Sequence, residues 1–187
     1  MARPPQLSNP EPSNDNPQPA TRISGPRVIG LIADTHGLVR PELAAVLARV
    51  EVILHAGDVG GADVLRALRK IAPVEAVFGN VDPPDDRGLS REILRTWNGV
   101  TVHVSHGHEV GRPTPEKLLA CYDADVIVFG HTHRPLVARV GRRLVVNPGA
   151  AGPRRFDLRP SVARLTISPG SAEVEIVPLR ENTSSAR

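Results

Sequence analysis

Cysteine is nearly absent from this chain of 187 residues: Cys121 stands alone, which excludes an intramolecular disulfide and any thiolate zinc cluster and fits a reducing interior. Aromatic residues are almost as scarce, with one Trp, one Tyr and three Phe, so a stacking platform for single-stranded nucleic acid has little material. No run of about 18 apolar residues occurs, leaving no candidate membrane span. The N-terminal residues also lack the basic start and apolar core of a secretory signal. A soluble cytoplasmic protein is the expectation. The formal charge is only +3, and the high pI reflects arginine in place of lysine, which marks no particular partner.

What is present divides into a tail and a domain. Residues 1–26 hold seven prolines and many Asn, Ser and Gln, too little apolar surface to fold alone, and are expected to be a disordered tail. Residues 27–180 suit one domain, which at about 150 residues buries about two-thirds of its unfolded surface. Residues 181–187 are expected to be a second flexible end. Within the domain, apolar runs alternate with amphipathic segments, one opened by Pro41 and carrying Leu43, Val46, Leu47 and Val50, the next running from Asp63 to Ile71. Strand, helix, strand, helix, strand implies a parallel sheet. After Ile93 the signals become hairpins, at Asn98-Gly99, Gly141-Arg142 and Pro169-Gly170, with a third helix opened by Thr114 and Pro115 and running to Tyr122.

Seven polar residues fall at the ends of these apolar runs. Asp34 and His36 follow Leu31-Ile32-Ala33; Asp58 follows Leu54-His55-Ala56-Gly57; Asn80 follows Val77-Phe78-Gly79. His106 follows Val102-His103-Val104-Ser105, and His131 and His133 follow Val128-Phe129-Gly130. Ligands collect where strands give way to loops, and a glycine before the polar residue lets the backbone turn sharply. Taken singly, each Asp is more often a cap or turn residue and each His more often a satisfied core residue. Taken as an ordered set, they make a mixed carboxylate and imidazole shell of the kind that holds paired divalent ions.

The series Asp-x-His, Gly-Asp, Gly-Asn, His-Gly-His and Gly-His-Thr-His, together with Asn147-Pro148-Gly149-Ala150, resembles the calcineurin-like metallophosphoesterase superfamily. Within it the likeness is to the small bacterial and archaeal phosphodiesterase branch, to which the retromer subunit of similar size also belongs. The resemblance spans roughly residues 27 to 180 and implies an α/β fold, the four-layer α-β-β-α sandwich with two mixed sheets. It further implies that Asp34, His36, Asp58 and His133 hold one ion, while Asp58, Asn80, His106 and His131 hold the other, with Asp58 as the bridge. Nitrogen and oxygen ligation without thiolate suits manganese first, with iron, nickel or zinc as alternatives. His55 and His103 read either as packing residues or as residues that orient the ligands.

A metal-bridging hydroxide attacking phosphorus is the implied chemistry, with Asp58, Asn80 and His106 as its catalytic residues and no covalent phosphoenzyme. Asn80, His108, Arg154 and Arg155 are candidate substrate contacts, the arginines because they follow Asn147-Pro148-Gly149 closely and a guanidinium pairs well with phosphate. Arg139, Arg142, Arg143 and Arg159 are expected on a solvated hairpin face. Where many relatives in the superfamily carry His after Gly-Asn as leaving-group acid, this chain has Val81, which cannot supply a proton. Esters with acidic leaving groups, small phosphodiesters above all, are therefore the expected substrates. Asp82 is either a ligand-orienting acid or an ordinary turn residue ahead of Pro83-Pro84. The competing function is a non-catalytic interaction module of the retromer-subunit type. A nuclease ranks last, nucleic acid is not an expected partner, and a homo-oligomer through surface strands stays open.

Overall fold

The computed structural model describes residues 25–155 and 157–180. The expected C-terminal tail and all but Gly25 and Pro26 of the N-terminal one lie outside these residues. Ten strands and three short helices follow one another as β1 (Arg27–Ile32), α1 (Leu43–Val46), β2 (Val52–Ala56), α2 (Ala62–Leu68), β3 (Val74–Val77), β4 (Ile93–Trp97), β5 (Val100–Val104), α3 (Pro115–Cys121), β6 (Val126–Val128), β7 (Leu136–Val140), β8 (Arg143–Asn147), β9 (Ser161–Ser168) and β10 (Ser171–Pro178). They form two five-stranded sheets, ordered β10-β9-β1-β2-β3 and β4-β5-β6-β8-β7.

Both sheets are mixed. β1, β2 and β3 run parallel, as do β5, β6 and β8, while the remaining strands pair antiparallel. Side chains alternate between faces with period two, so each strand feeds two cores. Ile29, Leu31, Leu54 and Ala56 of the first sheet meet Val102, Val104, Val126 and Val128 of the second in the inter-sheet core. On the outer face of the first sheet, Ile32 and Ile53 pack with Leu43 of α1, Leu47 just beyond it, and Leu65 and Leu68 of α2. On the outer face of the second, Ile127 and Val145 pack with Leu118 of α3. Four layers, α-β-β-α, follow directly from that partition, and each fully buried Leu or Ile adds about 1.5–3 kcal/mol.

Local sequence explains most boundaries. Asn98 and Gly99 take φ of 50° and 76°, the left-handed pair that a two-residue hairpin between β4 and β5 requires. Thr114 caps α3 by accepting from the Lys117 N–H, and Pro115 occupies its first turn. The expected helices are shorter than their apolar periodicity implied. α1 stops at Val46 and gives way to turns, with Arg49 at φ 63°, because Glu51 N–H already binds Val28 O at the start of the β1–β2 ladder. α2 ends at Leu68 rather than Ile71. Among the described residues no helix is long and apolar enough to cross a membrane.

Candidate metal centre

Every residue of the predicted set follows a strand that belongs to one of the two parallel runs. β1 leads to Asp34 and His36, β2 to Asp58, β3 to Asn80, β5 to His106, and β6 to His131 and His133. Parallel strands end on the same edge, so ligands far apart in sequence arrive together. The backbone bends hard to do it: Asp34, His36, Asp58, His131 and His133 all have φ between 46° and 65°. That region costs a non-glycine residue on the order of 1 kcal/mol or more, and such strain concentrates at functional sites. Only Arg49 and Asn98 share it elsewhere among the described residues.

The seven side chains fall into two groups. Asp34, His36, Asp58 and His133 each offer one ligand atom, and these atoms lie within 4.8 Å of one another. Inside this group His36 Nε2 is 3.2 Å from His133 Nε2, His133 Nε2 is 3.4 Å from Asp34 Oδ1, and His36 Nε2 is 3.7 Å from Asp58 Oδ2. The second group surrounds the other oxygen of the same carboxylate. His106 Nε2 lies 3.4 Å from Asp58 Oδ1 and 3.2 Å from Asn80 Oδ1, and His131 Nδ1 lies 2.9 Å from Asn80 Oδ1. Asp58 therefore faces one group with Oδ2 and the other with Oδ1.

The charges are arranged for a cation. Asp34 is fully buried, its Oδ2 has no hydrogen-bond partner, and burial with Asp58 nearby pushes its carboxyl up to about 7. Burial acts on Asp58 in the same direction, but the His106 hydrogen bond and charge, with the Val81 N–H, outweigh it and hold the group at about 2. His36, His131 and His133 are lowered, chiefly by burial, His133 to about 4, so their ring nitrogens are free of the extra proton. Buried carboxylate oxygens and neutral imidazoles sharing so small a space are a set of lone pairs that a divalent ion satisfies. His106 is raised, because its bond to Asp58 and the charge of Asp34 overcome burial. Its Nδ1 sits 2.7 Å from Ala56 O, so that nitrogen carries the hydrogen and Nε2 faces Asp58 and Asn80.

The remaining candidates lie around this centre. The half-buried His108 has its ring 5.3 Å from that of His106 and 6.3 Å from that of His131. Arg155 stands close enough for its positive charge to act on Asp34, His36 and His133, whereas the Arg154 guanidinium is 3.9 Å from Asp157.

The calcineurin-like phosphoesterase superfamily domain matches residues 28–170 of the sequence. The chain belongs to this superfamily. It is 36% identical over 159 residues, 80% of this chain and 91% of the other, to a probable metallophosphoesterase of Methanothermobacter thermautotrophicus. It is also 36% identical over 96 residues to the phosphodiesterase YfcE of Escherichia coli K12, covering 48% of this chain and 50% of that one. Among solved structures it is similar to wild-type Vps29 of Entamoeba histolytica complexed with zinc, with a TM-score of 0.64, 26% identity, and 81% and 98% of the two chains covered.

Three further residues support this candidate centre: Asn147 and Arg40, to which sequence reasoning assigned no role in it, and Asp82, which it left with two readings. Asp82 accepts from the backbone N–H groups of Val59, Gly60 and Gly79, each at 2.9 Å, and so ties the Asp58 loop to the Asn80 loop. Of its two sequence readings the structure selects the orienting acid. Asn147 donates to Gly130 O at 2.7 Å and Thr132 Oγ1 at 3.0 Å, which fixes the loop of His131 and His133. Arg40, buried, donates to Ala151 O and Gly152 O and braces the segment beyond Asn147. For Asn147 the Asn-Pro-Gly-Ala signature was a visible signal; for Arg40 there was none.

His55 acts as the sequence implied, as a packing residue that steadies a ligand loop. Thr35 donates its hydroxyl to Val59 O at 2.8 Å and therefore accepts from His55 Nε2, 2.9 Å away. Burial drives the His55 imidazole down to about 3. Below the ordinary value of 6.5 the unfolded chain takes up a proton that the folded chain refuses, so stability falls with pH from 6.5 toward 3. Urea unfolding of chelator-treated protein between pH 6 and 5 should lose about 1 kcal/mol more in the wild type than in His55→Gln. Equal losses in the two proteins would contradict a neutral His55. His103 takes the packing role: it stacks on Tyr122 at 3.9 Å and pairs with Glu92.

Proposed function

We propose that this metallophosphoesterase is a phosphodiesterase working with two divalent ions, manganese first among them. The observation that carries the reading is Asp58, whose two oxygens face two separate sets of nitrogen and oxygen donors. Asp34, His36, Asp58 and His133 would hold one ion, and Asp58, Asn80, His106 and His131 the other. Ions so held supply an activated water and neutralise the charge that grows on the phosphoryl oxygens.

The chain's own groups then have defined tasks. The Asn80 side chain turns Oδ1 toward His106 and His131, which leaves its amide N–H groups to bind a phosphoryl oxygen. Arg155 supplies positive charge on the other flank. Val81 is exposed at the position after Asn80 and offers no proton to a leaving group. Aryl diesters, whose leaving groups need no protonation, should therefore be turned over much faster than alkyl monoesters.

Bis(p-nitrophenyl) phosphate with manganese is the direct test. Turnover that a chelator abolishes and manganese restores is the expected result; a folded protein inert with manganese, iron, nickel and zinc alike would refute the hydrolase reading. Vps29-like neighbours support the second reading, a metal-binding interaction module. Since one of those neighbours is itself complexed with zinc, metal content alone does not separate the readings, and turnover does.

A further inference from the structure

A cavity of about 370 Å³ opens beside the Asn80, His106 and His131 half of the centre, lined by Phe78, Arg91, Glu92, Ser105, Glu109 and Tyr122 together with His108. Its link to the centre is short. Phe78 is two residues before Asn80, Ser105 immediately precedes His106, and the His108 ring lies between those of Phe78, His106 and His131, at 6.3, 5.3 and 6.3 Å. The volume falls in the range of small-molecule sites, about 300–1,000 Å³.

The distribution of aromatic side chains singles this cavity out. Four of the chain's five aromatics are described: Phe129 is fully buried beneath α3, Trp97 packs on the inter-sheet core, and the other two, Phe78 and Tyr122, both line this wall in half-buried positions. Tyr122 is held in place, stacked on His103 with a 22° interplanar angle and donating its hydroxyl to Glu109 Oε1 at 2.6 Å. Two of the three half-buried aromatics among the described residues therefore stand in one wall next to the centre. The rest of the wall is polar and of both signs. Arg91 offers donors, Glu92 pairs with His103, Glu109 accepts from the Tyr122 hydroxyl and the Gly107 N–H, and His108 Nδ1, 3.5 Å from Glu109 Oε2, is buried without a hydrogen-bond partner. A plain hydrocarbon ring would offer the Arg91 guanidinium and His108 Nδ1 nothing to bind; a planar ring with donors and acceptors on its edge would use both features.

We infer that this cavity receives one ester substituent of the substrate, and that the substituent is a nucleoside. The inference rests on the phosphodiesterase reading and narrows it: the substrate is a diester of a mononucleotide, its phosphate at the Asp58 centre and its base against Phe78, Tyr122 and His108.

The test is a set of three ligands that share a sugar phosphate, two of them carrying a base and one without. Calorimetric titration of manganese-loaded protein with adenosine and uridine 5′-monophosphates should give a Kd at least tenfold below that for ribose 5-phosphate for one nucleotide or both. Tyr122→Ala should shrink the ratio at least fivefold and Phe78→Leu should shrink it too, whereas Tyr122→Phe should keep it. The ratio is read within each protein, so a general loss of stability or metal does not mimic the effect. Equal affinities, or a ratio untouched by Tyr122→Ala, would overturn the nucleoside assignment while hydrolysis of the aryl diester left the parent reading standing. Absence of that hydrolysis would remove both.

Discussion

Asp58→Ala is expected to lower hydrolysis of an aryl phosphodiester by roughly a thousandfold or more and to reduce the metal content of the purified protein. The magnitude follows from what one carboxylate does. Oδ2 lies in the group with His36, and Oδ1 in the group with His106. A divalent ion contributes several kcal/mol to a phosphoryl-transfer transition state, and each 1.36 kcal/mol is a factor of ten in rate. On the two-ion reading proposed above, loss of the shared ligand would weaken both ion positions at once, whereas loss of His36 or His131 would weaken one. Asp58 also accepts from the Val81 N–H at 3.1 Å, so truncation loosens the Asn80 loop as well. Asp58→Asn separates these effects, because it keeps an oxygen for Val81 and removes the charge. Both variants should be measured for kcat/KM with saturating manganese and for bound metal per chain. Wild-type kcat/KM in either would show that Asp58 is not the common ligand.

The residues that converge on Asp58 were legible in the sequence for a reason rooted in topology. A buried parallel strand reads as an apolar run, three of the ends here are marked by Gly57, Gly79 and Gly130, and all parallel strands of one sheet finish on one edge. Asp34, Asp58 and Asn80 could thus be grouped across 46 positions without coordinates, and His106, His131 and His133 joined them from the second sheet. The hairpin at Asn98-Gly99 was legible through turn chemistry alone. Helix length was not, since α1 ends where the β1–β2 ladder begins, a tertiary event with no local sign. Arg40 was equally hidden, because a buried arginine binding the carbonyls of Ala151 and Gly152 looks in sequence like any surface arginine. The nucleoside cavity gathers Phe78, Tyr122 and His108 from three separate segments, and no spacing rule connects them.

Asp82→Ala should have the largest effect on stability, roughly 3–5 kcal/mol in chelator-treated protein, through three backbone donors left without a partner. Val59, Gly60 and Gly79 all point their N–H groups at this carboxylate, and Asp82 itself is buried. Hydrogen bonds to a charged acceptor exceed neutral ones, and unmet donors in a closed loop carry the full desolvation cost. The packing around the clamp leaves no alternative route. A Cβ on Gly79 would sit 2.0 Å from Asp58 Oδ1, and one on Gly60 would sit 2.2 Å from Gly37 N, so the Asp58, Asn80 and His36 loops are already in contact at closest approach. Releasing them should also cost about 10- to 100-fold in metal affinity, the usual effect of losing a group that orients ligands without touching the ion. Asp82→Asn, which keeps one acceptor oxygen but turns an amide N–H toward a donor, should fall between the wild type and Asp82→Ala. Urea unfolding with chelator reads the first effect and competitive manganese titration the second. An Asp82→Ala protein as stable as the wild type would mean that water replaces the carboxylate at all three donors, and an unchanged manganese affinity would mean that the ligand loops hold their positions without it.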